Sequence, residues 1–160
     1  MSDVTAELNT EKIRQMEATC RARGLSLTHQ RRALLSALAC RKDHPTADQL
    51  YDDLCKNIKG LSRTTVYRIL ETFVRIGLVV KISSQQAKAR FDADTSRHHH
   101  ISCVECGEVA DLFDPAFNLP ELPDEHPSGF QLYDYAITFI GLCPRCQRDG
   151  SHTKQKPLNP

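Results

Sequence analysis

Two Cys-x-x-Cys pairs constrain this chain more than any other feature: Cys103-Val104-Glu105-Cys106 and Cys143-Pro144-Arg145-Cys146. Two intervening residues let both thiolates of a pair reach one tetrahedral ion from a single turn. Gly107 directly follows the first pair and relieves its turn. The 36 residues from 107 to 142 leave room for a strand–helix–strand passage that brings the pairs together. A four-thiolate shell is closed, so the spacing points to a structural zinc ion, and soft thiolates select against hard cations. The rival is a redox Cys-x-x-Cys, which needs one pair at a helix start within a strand–helix–strand unit; neither pair has that setting.

The remaining totals fit that reading. The seven cysteines are odd in number, and Met1–Thr10 is polar and acidic, without the basic-then-apolar layout of an export signal. No apolar run approaches the roughly 18 residues that span a bilayer. The expectation is a cytoplasmic protein with reduced, metal-held thiols and no membrane partner. A net charge of +1 conceals a split: residues 1–83 carry 14 Lys and Arg against 9 Asp and Glu, a net of +5, whereas residues 84–160 carry 7 against 11, a net of −4. A basic half joined to an acidic half suits a DNA reader fused to a cation-binding module.

Periodicity places the elements. Ile13, Met16 and Cys20 share a face of a helix over 11–23 that Gly24 ends. Thr28 caps a helix from Gln30 to Ala39. Thr46 caps a third through Leu50, Tyr51, Leu54 and Ile58, which Gly60 ends. Ser62 caps a fourth from Arg63 to Ile76. Leu78–Ile82 and Ala89–Phe91 read as strands around a polar turn, 83–88. Helices followed by a two-stranded hairpin are the winged form of the helix-turn-helix. After a linker, 92–97, His100–Cys103 and Val109–Phe113 read as strands. Residues 113–127 are proline-rich with room for one short helix, and Phe130–Ile140 alternates as a long strand. The predicted domains are 1–83, with the wing running on to about 92, then 93–148, then a disordered tail, 149–160.

A second metal-ligand pattern is Arg97-His98-His99-His100. On a strand, residues two apart face the same way, so His98 and His100 project together and His99 opposite. Two imidazoles at that spacing make a half-site for a divalent transition metal. His44, Asp92 and Asp111 could supply the rest, and each also reads as an ordinary turn, loop or strand residue. Mixed imidazole and carboxylate ligands suit iron(II), manganese(II) or zinc. The candidate DNA contacts are Arg63, Thr64, Tyr67 and Arg68, on the polar face of the fourth helix, and Gln30 and Arg31 at the start of the second.

These motifs stand in a fixed order: Leu27-Thr28-x-Gln30-Arg31, His44-Pro45-Thr46-Ala47, Thr65-Val66-Tyr67-Arg68, Arg90-Phe91-Asp92, His98-x-His100-x-x-Cys103-x-x-Cys106-Gly107 and Cys143-x-x-Cys146. Together, over roughly residues 10–148, they resemble the ferric uptake regulator family of metal-dependent repressors. The resemblance implies an α+β chain, with an N-terminal winged helix-turn-helix domain and a small C-terminal α/β dimerisation domain carrying the four-cysteine zinc. It implies a homodimer on palindromic double-stranded operator DNA. It also implies a regulatory Fe2+ or Mn2+ held by residues matching His44, Asp92, His98, His100 and Asp111, which draws the winged helices into a DNA-competent form. Asp92, after Arg-Phe, resembles the peroxide-sensing branch, in which iron(II) reacts with hydrogen peroxide and a histidine ligand is oxidised; His44 and His98 are the matching residues. The chain departs from the family at Ser26 and His29, where a basic residue and proline are common. Tyr135 stands where iron sensors place a histidine of a further site, so that site is not expected. Pro120 and Pro123 fall where relatives have a regular helix.

An enzyme, either a thiol oxidoreductase or a zinc hydrolase, would need an open metal position or a reactive thiol. The chain has no His-Glu-x-x-His, Gly-x-Ser-x-Gly or P-loop pattern, so it is not expected to be an enzyme or to take a small-molecule substrate beyond peroxide as a signal. A zinc-binding adaptor whose winged helix binds protein is a second rival. An iron-, zinc- or nickel-level sensor is the alternative within the family.

Overall fold

Helix starts organise the N-terminal half, because each is marked by a hydroxyl that replaces a missing carbonyl. In the computed structural model, which describes residues 2–82, 88–117 and 128–150, Thr28 accepts from the Arg31 amide at 3.3 Å and Ser62 from the Thr65 amide at 3.1 Å. Thr46 makes a full capping box: it accepts from the Gln49 amide at 3.2 Å, and the Gln49 side chain accepts from the Thr46 amide at 2.8 Å. These caps open α2 (His29–Ala39), α3 (Ala47–Leu54) and α4 (Arg63–Arg75), which follow α1 (Ser2–Ala22). Gly77, at φ +67°, ends α4 with Gly77 and Leu78 amides donating back to Val74 and Phe73, and it turns the chain into the wing. The wing pairs β1 (Val80–Ile82) with β2 (Arg90–Asp92) antiparallel, Lys81 opposite Phe91.

The chain divides into two compact units, residues 1–96 and 97–160, so the wing belongs wholly to the first. The first has one continuous apolar core. Leu34, Leu35, Leu38, Leu50, Val66, Leu70, Phe73 and Phe91 are all at most 1% exposed, and Met16 and Cys20 of α1 close it from one side. The apolar stripe of α4 faces inward, which leaves Arg63, Thr64, Tyr67 and Arg68 outward.

The second unit is a three-stranded sheet in the order β4-β3-β5, from β3 (His99–Cys103), β4 (Val109–Leu112) and β5 (Thr138–Gly141), with a short 3-10 turn at Pro115–Phe117 and α5 (Pro144–Asp149). β3 pairs antiparallel with β4 and parallel with β5. No helix among the described residues is long and apolar enough to cross a membrane.

The structure differs from the sequence expectations at four places. Helix α1 begins at Ser2 rather than near residue 11. Helix α3 stops at Leu54, and Ile58 reaches the core from the turns that follow. The long strand expected over 130–140 is only Thr138–Gly141, because Asp134 Oδ1 accepts from the Tyr135 amide at 2.8 Å, a local bond that competes with sheet pairing. Helix α5 was not expected; Pro144 at its first position and Gly150 in left-handed conformation after it are its sequence marks. The wing turn at 83–87, Pro120, Pro123 and the tail from 151 lie outside the described residues.

Phe73 carries the core prediction. Its side chain is fully buried between helices. Phe73→Ala is expected to lower the unfolding free energy by about 3–5 kcal/mol. The shift in urea midpoint measures it, and a loss below about 1 kcal/mol would contradict this packing.

Candidate metal centres and nucleic-acid face

The four cysteines meet through strand pairing. Cys103 ends β3, and Gly107, at φ +66°, lets the turn close, with the Gly107 amide donating to the Cys103 carbonyl at 3.0 Å. The parallel register sets Cys103 beside Gly141, and the Val104 amide donates to Gly141 at 2.9 Å. That register carries the chain straight to Cys143, the N-cap of α5, with Cys146 one turn further. The Cys143 amide donates to Cys103 Sγ at 3.3 Å, Cys106 Sγ lies 3.6 Å from Cys143 Sγ, and all four sulfurs lie within 4.8 Å of one another. A tetrahedral zinc with Zn–S bonds near 2.3 Å requires sulfurs about 3.8 Å apart.

Electrostatics gives the same answer. Burial opposes ionisation of Cys103, but the Cys106, Cys143 and Glu105 amides outweigh it and bring the thiol down to about 6. Cys146 is pushed up to about 12 by burial and by the neighbouring thiols. Cys103 therefore ionises readily while Cys143 and Cys146 resist it, a conflict that a divalent cation would remove. Arg145, between the paired cysteines, interacts with Cys106 and is raised above its usual range by the cluster's charge. Sequence reasoning missed it, although its place inside the second pair was visible.

The candidate regulatory ligands form two groups, one in each unit. In the first unit, β2 is zipped to the turn after α2: the Phe91 amide donates to the Pro45 carbonyl at 3.0 Å, Thr46 bridges to Arg90, and Arg90 Nη1 donates to the His44 carbonyl at 2.8 Å. This brings His44 Nε2 to 3.5 Å from Asp92 Oδ2, both side chains at most 9% exposed. His44 has φ +49°, an uncommon conformation for a residue other than glycine.

In the second unit, His100 sits opposite Asp111 across β3–β4, and His98 stacks on Phe113 with ring centroids 5.0 Å apart. His98 Nε2 lies 3.0 Å from His100 Nε2 and 3.3 Å from Asp111 Oδ1, which lies 3.8 Å from His100 Nε2. Ligand atoms about 2.1 Å from one ion and at right angles are about 3.0 Å apart, so this trio has the separations of adjacent metal ligands. His99 faces the other way as expected, 1% exposed and tilted against Tyr135 at 5.9 Å; among the described residues neither of its ring nitrogens has a hydrogen-bond partner.

On the first unit, Thr28, Gln30 and Arg31 around the start of α2 and Tyr67, Arg68, Glu71 and Arg75 along α4 line one open groove. Tyr67 is 44% exposed. Arg31 donates to the Ser26 carbonyl at 2.8 Å and Gln30 to Gly60 at 3.3 Å, which fixes their stems at the groove wall. Arg63 is turned away onto α3, where it donates to Asp48 and Asp52. The three remaining cysteines are in neither cluster: Cys20 is in the core with its thiol raised by burial and Glu17, Cys40 is exposed, and Cys55 donates to the Asp52 carbonyl.

Comparison with known proteins agrees with this arrangement. The model of the Ferric uptake regulator family matches residues 22–140. A protein named peroxide-responsive repressor PerR from Staphylococcus epidermidis is 30% identical over 150 residues, covering 92% of this chain and 100% of that protein. One of the same name from Staphylococcus aureus is 32% identical over 144 residues, covering 90% and 97%. Among solved structures, the ferric uptake regulator from Pseudomonas aeruginosa with manganese is 28% identical with a TM-score of 0.64, covering 80% of this chain and 97% of that one. A zinc-bound manganese uptake regulator is 25% identical with a TM-score of 0.62, covering 80% and 98%. With motifs, fold and ligand clusters in agreement, the chain belongs to the ferric uptake regulator family.

Proposed function

We propose that this chain is a metal-dependent repressor that binds operator DNA as a homodimer in the cytoplasm, and that it senses hydrogen peroxide through a regulatory iron(II). The observation that carries the reading is the pairing of two chemically distinct ligand sets in one chain: four clustered thiols, and His98, His100 and Asp111 at metal-ligand separations. Cys103, Cys106, Cys143 and Cys146 would hold a structural zinc. His44, Asp92, His98, His100 and Asp111 would hold the regulatory cation, whose binding would fix the winged helices for a palindromic operator. Three imidazoles and two carboxylates admit iron(II) and manganese(II) without demanding zinc.

DNA contacts fall to Gln30, Arg31, Tyr67 and Arg68 on the exposed groove, with Thr64 on the same exposed face of α4. The homodimer would cover the edge strand β5, where Ile140 is 55% exposed. Support for peroxide sensing comes from Asp92 in place of glutamate after Arg90-Phe91, and from the similarity to the two staphylococcal proteins. Bound iron(II) would supply electrons to hydrogen peroxide and an oxidant beside its ligands; manganese(II) does so poorly. His44 and His98 then stand as the side chains exposed to that oxidant, and loss of either imidazole as a ligand would release the winged helices.

Three outcomes are expected. Cys143→Ser should lose zinc and with it the fold or the dimer, since zinc supplies folding energy on the order of 10 kcal/mol in small domains; a zinc-free dimer with unchanged melting temperature would refute the structural role. Arg68→Ala should weaken operator binding by about 1–3 kcal/mol if it reads a base, with dimerisation and zinc content intact; unchanged affinity moves the reading face elsewhere on α4. Dilute peroxide should abolish DNA binding by the iron-loaded protein and spare the manganese-loaded one, with one added oxygen on the peptide holding His44 or His98. If both forms fail together with zinc loss and disulfides, the thiols are the sensor; if neither responds, the chain senses metal level.

A further inference from the structure

Arg63 is the first residue of the recognition helix α4, at the position where a guanidinium is well placed for DNA. Its side chain instead crosses to α3. Nη1 donates to Asp48 Oδ1 at 2.8 Å, Nη2 donates to Asp52 Oδ1 at 3.0 Å, and the guanidinium lies 4.4 Å over the Tyr51 ring. The other oxygen of Asp48 accepts from Lys88 Nζ at 3.2 Å, and Lys88 is two residues before β2 of the wing. One carboxylate in the first turn of α3 thus holds the start of the recognition helix with one oxygen and the returning leg of the wing with the other. The outgoing leg is tied as well: Lys81 of β1 donates to Glu71 of α4 at 2.7 Å. Hydrogen bonds from Lys88 and Arg63 keep the Asp48 carboxyl below the usual carboxylate range, so it is ionised at any physiological pH.

We propose that Asp48 is the joint that sets the recognition helix and the wing relative to each other, with Arg63 and Lys88 as positioning residues rather than DNA contacts. This rests on the operator-binding reading above. A winged helix presents two separate elements to a duplex, and their relative placement decides whether both can engage one site. Exposed ion pairs contribute little to stability, so a purpose in placement rather than in folding energy is consistent with three partly exposed groups sharing one carboxylate. The alternative is that Arg63 and Lys88 are phosphate contacts that rest on carboxylates when DNA is absent.

The two readings predict opposite signs. Asp48 is a negative charge on a half of the chain that carries a net +5 over residues 1–83. If it only neutralises phosphate-binding cations, Asp48→Asn should tighten DNA binding. If it is the joint, the same change should weaken specific binding while leaving non-specific binding unchanged or stronger.

The test uses the full-length, manganese-loaded chain and a duplex selected on the wild type from a random pool, with a scrambled duplex as the non-specific probe. Asp48→Asn is expected to lose about two- to fivefold in affinity for the selected duplex, the scale of exposed ion pairs, and nothing for the scrambled one. Asp48→Glu should restore most of the loss. Arg63→Ala should show the same loss, should not add to that of Asp48→Asn in the double variant, and should leave the slope of log affinity against log salt unchanged. A phosphate contact would instead flatten that slope by about 0.9. Tightened or unchanged binding by Asp48→Asn, or a flattened slope for Arg63→Ala, overturns the joint while leaving the repressor reading intact. A wild type that selects no duplex sinks both.

Discussion

Four cysteine sulfurs lie within 4.8 Å of one another; as thiolates they would repel one another without a cation among them, and the second unit is built around that constraint. Its sheet is small, and among the described residues its buried apolar side chains are few: Cys103, Val109 and Cys146. The continuous hydrophobic core lies entirely in the first unit. A unit of this size lacks the burial to offset its own conformational entropy, and a metal cross-link is one of the few remedies open to it. The cysteine cluster joins the end of β3 to the start of α5 across the β3–β5 pairing, so the parallel register and the cluster support each other.

The first unit solves the opposite problem. Hydrophobic burial and three capped helix starts hold it, with the polar face of α4 left on its surface. The exception is the turn at His44. A buried imidazole in left-handed backbone conformation, directly before a proline, is strained, and such strain persists only where the surroundings over-determine it. Here the surroundings are the backbone bonds from β2 and the Arg90 side chain on the His44 carbonyl. The wing that carries Asp92 is therefore also what fixes His44 beside it.

Much of this was legible in the sequence, for reasons that differ by element. The caps Thr28, Thr46 and Ser62 and the stripe of α4 are local signals, and the structure has them at the expected residues. The two cysteine pairs are readable because metal-ligand spacing is a short-range rule even when the pairs are far apart. The strand expected over 130–140 failed because alternation says nothing about Asp134 bonding to its own backbone neighbour. Periodicity places Arg63 on the polar face of α4 but does not report its partners within the chain: Asp48 and Asp52 are 15 and 11 residues away on a different helix.

The two ligand sets differ in softness, yet they share a strand. His100 and Cys103 both belong to β3, three residues apart and so on opposite faces of it. His100 meets Asp111 only because β4 is in register with β3, and that register is closed at the far end by the turn that presents Cys103 and Cys106. A thiolate shell retains zinc tightly, whereas imidazole and carboxylate donors exchange borderline cations more readily. The arrangement therefore makes one site the frame for the other. In the proposed reading, a zinc ion on the four thiols would keep β3 in place, and the donors on its other face would respond to the exchangeable cation.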